Sequence, residues 1–397
     1  MVQQLPETNI LDSLLKSKPA LFGSVMDAKD LLNVQVIYTR IDRDASNVPS
    51  FTDYTFNLDD QRYFYPASTV KMPVAFLALE RLNEMKVPGV DMHTSMITDS
   101  NFSGQKHVFT HATSEDARPT IEQYIREIFL VSDNDAFNRL YEFLGQGYIN
   151  ERIHKKGYSD VEILHRLNIF LSEEENRHTN AVAFYDTAGK VIYQQPEKYN
   201  TARYNKRNNT MGNGFFKGAT LVNEPFSFSG KNRFYLRDLH RVLRSIIFPE
   251  SVAEKQRFNL TEEDYLFLYK SMSTYQRESR YPNYDTADHW DAYVKFLMYG
   301  SQKGTLPQSI RIFNKVGDAY GFLTDVAYVV DFENNVEFML SATILCNKDG
   351  IFNDDKYDYD EIGFPFMKNL GQAVYEYERL RKKKYLSDLS RFKFKYD

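Results

Sequence analysis

The chain reads as an α+β fold in which N- and C-terminal segments form one antiparallel sheet flanked by helices, with a helical lobe inserted between them. Three observations predict it. Val34–Ile41 and Phe51–Asn57 alternate in polarity like strands near the N-terminus, while Ile310–Phe313, Phe322–Phe332 and Val336–Leu345 do so near the C-terminus. Between the two groups the apolar spacing is helical. With 397 residues, 42% hydrophobic and 26% charged, the chain can bury a large core as one big unit or two smaller ones.

Taken in order, Leu11–Leu32 carries interrupted apolar spacing and reads as a terminal helix. Ser46–Ser50 is the turn between the first two strands. A helix is expected from Ser68, because Val70, Val74, Leu77, Ala78 and Leu82 repeat at helical spacing and Pro73 falls near the first turn, where a missing amide hydrogen does least harm. Thr120–Leu130 and Asp133–Leu144 read as two more helices, the second stopped by Gly145. Residues 181–232 are polar and rich in Asn, Tyr and Gly, with a hairpin signal at Asp186–Gly189, and read as an insertion. Helices resume near Tyr235–Phe248 and Glu262–Met272, and a last one runs over Pro365–Lys383. Glu333-Asn334-Asn335 turns one C-terminal strand into the next. The expected division is an α/β lobe of residues 1–66 and 225–397 and a helical lobe of residues 67–224, with an insertion near 181–224 and a cleft between the lobes.

Composition excludes some functions. A net charge of −5 lacks the basic footprint of a nucleic-acid binder. No apolar run approaches a membrane-spanning length. The single cysteine, Cys346, rules out an intrachain disulfide. Eight histidines show no metal-ligand spacing, and no glycine-rich phosphate loop is present, so the reading includes no cofactor and no metal. The basic run Arg379–Lys384 fits cation enrichment at a helix C-terminus.

Three short motifs carry chemistry: Ser68-Thr69-Val70-Lys71, Ser132-Asp133-Asn134 and Lys315-Val316-Gly317. Residues at i and i+3 share a helix face, so Ser68 and Lys71 point together, with Ser68 at a helix start. A serine hydroxyl is a poor nucleophile until a base takes its proton, and a lysine serves when burial or nearby cations lower its pKa. The same spacing recurs at Ser13/Lys16, Ser103/Lys106 and Ser390/Lys393, but only Ser68/Lys71 sits between an aromatic run and a strongly apolar helix. Ser132-Asp133-Asn134 falls between two helices, where such residues also serve as caps. Both meanings stay open. Lys315-Val316-Gly317 lies on an internal strand, where a glycine lets a ligand approach the backbone and the strand's amides can donate to an oxyanion.

Together these residues resemble the penicillin-interacting serine enzymes, above all class A β-lactamases, whose signature is S-x-x-K, S-D-N and K-T-G. Tyr65–Pro73 is similar to the family's nucleophile segment, and Glu127–Ala136 to its helix–turn–helix. The resemblance implies a β-lactamase/transpeptidase-like fold. It implies Ser68 as nucleophile, Lys71 as general base, Ser132 as proton shuttle, Asn134 as a contact to the substrate amide and Lys315 as electrostatic support. Gly317 would border the substrate, and the backbone amides of Ser68 and Asp318 would form the oxyanion hole. The implied partner is a small β-lactam or a peptidoglycan stem peptide, met by a monomer in the periplasm or outside the cell, with the leader absent from this chain. The chain departs from the pattern in three ways. Val316 replaces a hydroxyl residue and Asp318 follows Gly317. If Asn180 matches the family's loop asparagine, Asn176 stands at the place of its deacylating glutamate, and neighbouring Glu175 is either a substitute or part of a solvated acidic loop. The stretch between the second and third motifs is long, and residues 181–232 and 275–305 are expected to cover or reshape the cleft.

Overall fold

Strand alternation decides which face of the sheet each side chain joins. Along Phe322–Asp331, Val326, Tyr328 and Val330 enter one core cluster, whereas Leu323, Ala327 and Val329 enter the other. The protein is described here by a computed structural model covering residues 9–102, 105–205 and 207–396. Its helices and strands begin with α1 (Ile10–Lys16), α2 (Pro19–Asp27), β1 (Gln35–Arg43) and β2 (Pro49–Phe56). A 3₁₀ turn, Ala67–Val70, leads into α3 (Lys71–Met85), followed by α4 (Ile121–Leu130), α5 (Asn134–Leu144) and α6 (Gln146–Lys155). After a set of short strands come α7 (Leu236–Ile247), α8 (Glu262–Ser273), β3 (Ile310–Ala319), β4 (Phe322–Asp331), β5 (Val336–Leu345) and α9 (Phe364–Leu380).

The main sheet is antiparallel throughout, in the order β3-β4-β5-β1-β2. First and last segments meet where Gln35 pairs with Thr343. Helices α1, α2 and α9 cover one face and α7 covers the other. Because both faces are covered, β4 is buried along its whole length, and its sequence is a near-continuous apolar run. Helix α3 packs against α4, α5 and α6 and is buried from Lys71 to Glu80. The mixed architecture of sheet and helices matches the expected fold class.

Several boundaries differ from expectation. The first helix is two, because Pro19 starts a new one at N1. The Ser68 segment is a 3₁₀ turn, and the α-helix begins only at Lys71. Gly145, at φ +82, ends α5 but passes directly into α6, which carries no strong apolar signal. Strand β3 runs on to Ala319 and lies at the sheet's edge, not inside it. The Ala67–Val70 turn packs over its face at Gly317. The hairpin signal at Asp186–Gly189 joins Val182–Tyr185 to Val191–Gln195, with Asp186 N donating to Lys190 O at 2.9 Å.

One buried ion pair ties the sheet to the C-terminal tail. Glu337 on β5 is fully buried; Arg43 grips it through two nitrogens at 2.6 and 2.7 Å, Tyr328 donates at 2.8 Å, and Ser387 also donates to it. Removing one partner of a buried pair leaves the other charge uncompensated. Arg43→Ala is therefore expected to destabilise the fold by about 3–5 kcal/mol, read as a lower urea midpoint at unchanged slope.

Candidate active site

The Ala67–Val70 turn and the N-terminus of α3 bring Ser68 and Lys71 to one side of the molecule. Ala67 holds φ at +45° and Ser132 at +59°, left-handed values that non-glycine residues seldom adopt. Both bends aim a serine at the same space, a cleft of about 480 Å³ lined by Ser68, Ser132, Asn134, Val316 and Asp318 among others. Such strain persists only where the surroundings over-determine it.

The two lysines converge on Ser132. Lys71 Nζ donates to Ser132 O, lies 3.3 Å from Ser132 Oγ and donates to Asn134 Oδ1 at 2.7 Å. Lys315 Nζ donates to Ser132 Oγ at 2.7 Å and to Val316 O at 2.9 Å. Among the described residues no hydrogen bond joins Ser68 Oγ directly to Lys71 Nζ. Both lysine side chains are buried. Burial and then the charge of Lys315 push the Lys71 ammonium well below its ordinary pKa. Burial brings Lys315 down to about 7, against the opposing pull of Asp318 and Asp325. Asp133 accepts from Ala136 N at 2.7 Å and caps α5. Capping and chemistry thus fall to neighbouring residues of one motif.

Gly317 explains the closeness of the strand to the Ala67–Val70 turn. A Cβ on it would stand 2.7 Å from Pro66 O and 2.9 Å from Ser68 N. Only a hydrogen fits. Val316 packs in the core on the terminal-helix side, and Asp318 is exposed to the cleft. Crowding by the surrounding protein nonetheless raises the Asp318 carboxyl above its usual range, while Lys315 and Lys71 draw it down.

Glu175 is not among the residues lining this cleft. It completes a capping box with Ser172, whose N and Oγ donate to Glu175 Oε2 at 2.7 and 2.8 Å. Asn176 is buried, accepting from Arg166 N at 2.9 Å and donating to Ser172 O at 2.9 Å. A larger hollow of about 1040 Å³ beside this short helix is lined by Arg177, Arg207 and Lys231 and holds none of the three motifs.

Sequence reasoning missed one group and reached a second only as a segment. Behind Lys315, Lys295 donates to Asn314 Oδ1 at 2.7 Å, and Asn314 donates to Asp325 Oδ1 at 2.8 Å. Burial brings Lys295 down to about 7 and raises Asp325 to about 6. The second group is the aromatic wall of Tyr284, His289, Trp290 and Tyr293, within the 275–305 stretch expected to shape the cleft, whereas no described residue of 181–232 lines it. Its signal was the density of rings within the long segment before β3.

Residues 47–377 match the sequence profile of the β-lactamase enzyme family. The chain belongs to that family. As a member, it is similar to a β-lactamase from Desulfarculus baarsii DSM 2075, at 12% identity over 92% of this chain and 98% of that one, with a TM-score of 0.51. A β-lactamase from Sphaerobacter thermophilus DSM 20745 (11% identity, 95% and 100% covered, TM-score 0.49) and the structure of PBP-A (14%, 94% and 97%, 0.49) are also similar. No curated protein matches. This β-lactamase-family chain is a divergent one, and its family and fold support a serine β-lactamase or penicillin-binding function in general. No helix among the described residues is long and apolar enough to cross a membrane.

Gly317→Ala is expected to lower stability by about 1–3 kcal/mol, since backbone rather than a flexible side chain meets the added methyl. A thermal melt of the variant beside wild type checks this.

Proposed function

We propose that the protein is a serine hydrolase of the class A β-lactamase type, opening β-lactam amides through a Ser68 acyl-enzyme. The observation that carries this reading is the convergence of Lys71 and Lys315 on the Ser132 hydroxyl beside Ser68. Lys71, held below its ordinary pKa by burial, is the base. As Ser68 Oγ bonds the carbonyl carbon, its proton passes to the Lys71 amine. From there it moves through Ser132 to the leaving nitrogen while the C–N bond breaks. Amides of Ser68 and Asp318 stabilise the oxyanion, and Asn134 holds the substrate amide. Water then adds to the acyl carbon, its hydroxyl leaving with the acid and its proton returning to Ser68 Oγ. The two-lobe division at 67–224 and export to the compartment where such substrates occur belong to the same proposal.

Hydrolysis of a chromogenic cephalosporin by wild type and by Ser68→Ala tests it. Loss of turnover in the variant is expected, and equal rates would eliminate the assignment.

A second reading rests on Glu175, which caps its own helix, and on Asn176, which stands at the glutamate's place if Asn180 matches the family's asparagine. It keeps the nucleophile and slows the water step, as in a penicillin-binding peptidase or a slow acyl-acceptor. Intact mass after penicillin treatment separates the two: a long-lived adduct on Ser68 favours this reading, and one that vanishes quickly favours the hydrolase. Any adduct on Ser68 counts against a non-catalytic relative.

The lysines also set the pH dependence. Burial makes Lys71 neutral at a pH well below its ordinary value, whereas Lys315 keeps its proton until about pH 7. Acylation is expected to decline above about pH 7 as Lys315 discharges. Lys315→Arg keeps the charge throughout and is expected to move that alkaline limb upward by more than about one pH unit. A kcat/KM profile of both proteins reads it, and an unmoved limb would assign the titration elsewhere.

A further inference from the structure

The segment between α8 and β3 walls the Ser68 cleft with aromatic rings. Tyr284, Trp290 and Tyr293 line it, with Trp290 and Tyr293 edge to face at 5.5 Å between centroids. Asp133, Asp318 and Asp360 line the same space. Asp133 is engaged in capping α5, which leaves Asp318 and Asp360, both exposed, as the open anionic groups. Among the described residues no lysine or arginine lines the cleft, because Lys71 and Lys315 are buried with their ammonium groups turned to Ser132.

An anionic acyl donor entering here meets the Asp318 and Asp360 carboxylates. Val316 offers it no hydroxyl. Aromatic faces and carboxylates both attract a positive charge, more strongly the further it is desolvated. Trp290 already takes the Lys303 ammonium at 5.1 Å from its centroid. Burial, then the charge of Asp318, raises the Tyr293 hydroxyl above its ordinary value, as expected for groups sharing one side of the cleft.

We propose that the Ser68 cleft selects acyl donors carrying an alkylammonium or quaternary ammonium group, held between Asp318 and the rings of Trp290 and Tyr293. This rests on the serine hydrolase reading above and adds the charge of its substrate. It makes Asp318 a specificity-determining side chain, in addition to its backbone amide.

Three p-nitrophenyl esters of equal length test it: one ending in trimethylammonium, one in its neutral isostere tert-butyl, and one in carboxylate. The p-nitrophenol burst reports acylation even where deacylation is slow. The cationic ester is expected to exceed the neutral isostere in kcat/KM by at least about tenfold, with the carboxylate ester below both. Asp318→Asn and Trp290→Ala should each shrink the cation-to-neutral ratio through KM. Asp318 is exposed, and a ratio of two esters cancels the loss of its charge beside Lys315 and Lys71, so its variant keeps the test valid if Trp290→Ala misfolds. A Ser68-dependent burst that ignores charge, or favours carboxylate, overturns this proposal alone. A burst that survives Ser68→Ala, or none with any ester, overturns the serine reading and this one with it.

Discussion

Two ammonium groups are buried around one hydroxyl, and the rest of the site is arranged to make that tolerable. Removing a charge from water is opposed by several kcal/mol per ion. Lys71 answers it with Ser132 and Asn134, and Lys315 answers it with Ser132 and the carbonyl of Val316. Mutual repulsion completes the effect, because two cations sharing Ser132 do not both hold protons easily. The strained backbone at Ala67 and Ser132 is intelligible in this light. It holds Ser132 where the lysines need a partner and Ser68 at the same cleft.

The sheet supplies the third side. Strand β3 is an edge strand, and an edge carries unpaired backbone groups that most proteins cover. The Ala67–Val70 turn is seated on the face of this strand, over Gly317. Alternation puts Val316 into the core behind the sheet and leaves Gly317 against Ser68, so the register Gly317↔Thr324 fixes the distance between strand and nucleophile. A slip of one residue would bring a side chain onto Ser68 N. Fold and chemistry are one constraint at this point.

Periodicity made the sheet, the helices α3, α4, α5 and α9 and the three motifs legible, because each repeats a local pattern or a short spacing. What stayed hidden depends on tertiary placement. Nothing local distinguishes an edge from an interior strand, so β3 read as internal. Lys295, Asn314 and Asp325 are distant in sequence and form a network only once β3 and β4 pair. Helix α6, with Gln146, Asn150 and Arg152 among its residues, is held by contacts to neighbouring segments more than by its own apolar pattern, as when Asn150 donates to Ile163 O at 2.9 Å.

The acidic loop shows how one side chain, Asn176, sets the roles of its neighbours. Asn176 fills its position with four hydrogen-bonding capacities, accepting from Arg166 N and donating to Leu171 O and Ser172 O. A carboxylate there would lose both donations and meet those carbonyls as a repulsive neighbour. Arg166 is in turn locked on Glu142, which also accepts from Asn180 N at 2.7 Å. The loop is therefore built as a brace in which Glu142, on α5, carries the charge that holds it together. Glu175 completes the cap at the helix start, where a negative charge is favoured by the unpaired amides. A loop with those commitments keeps Glu175 at its own helix start, outside the lining of the Ser68 cleft.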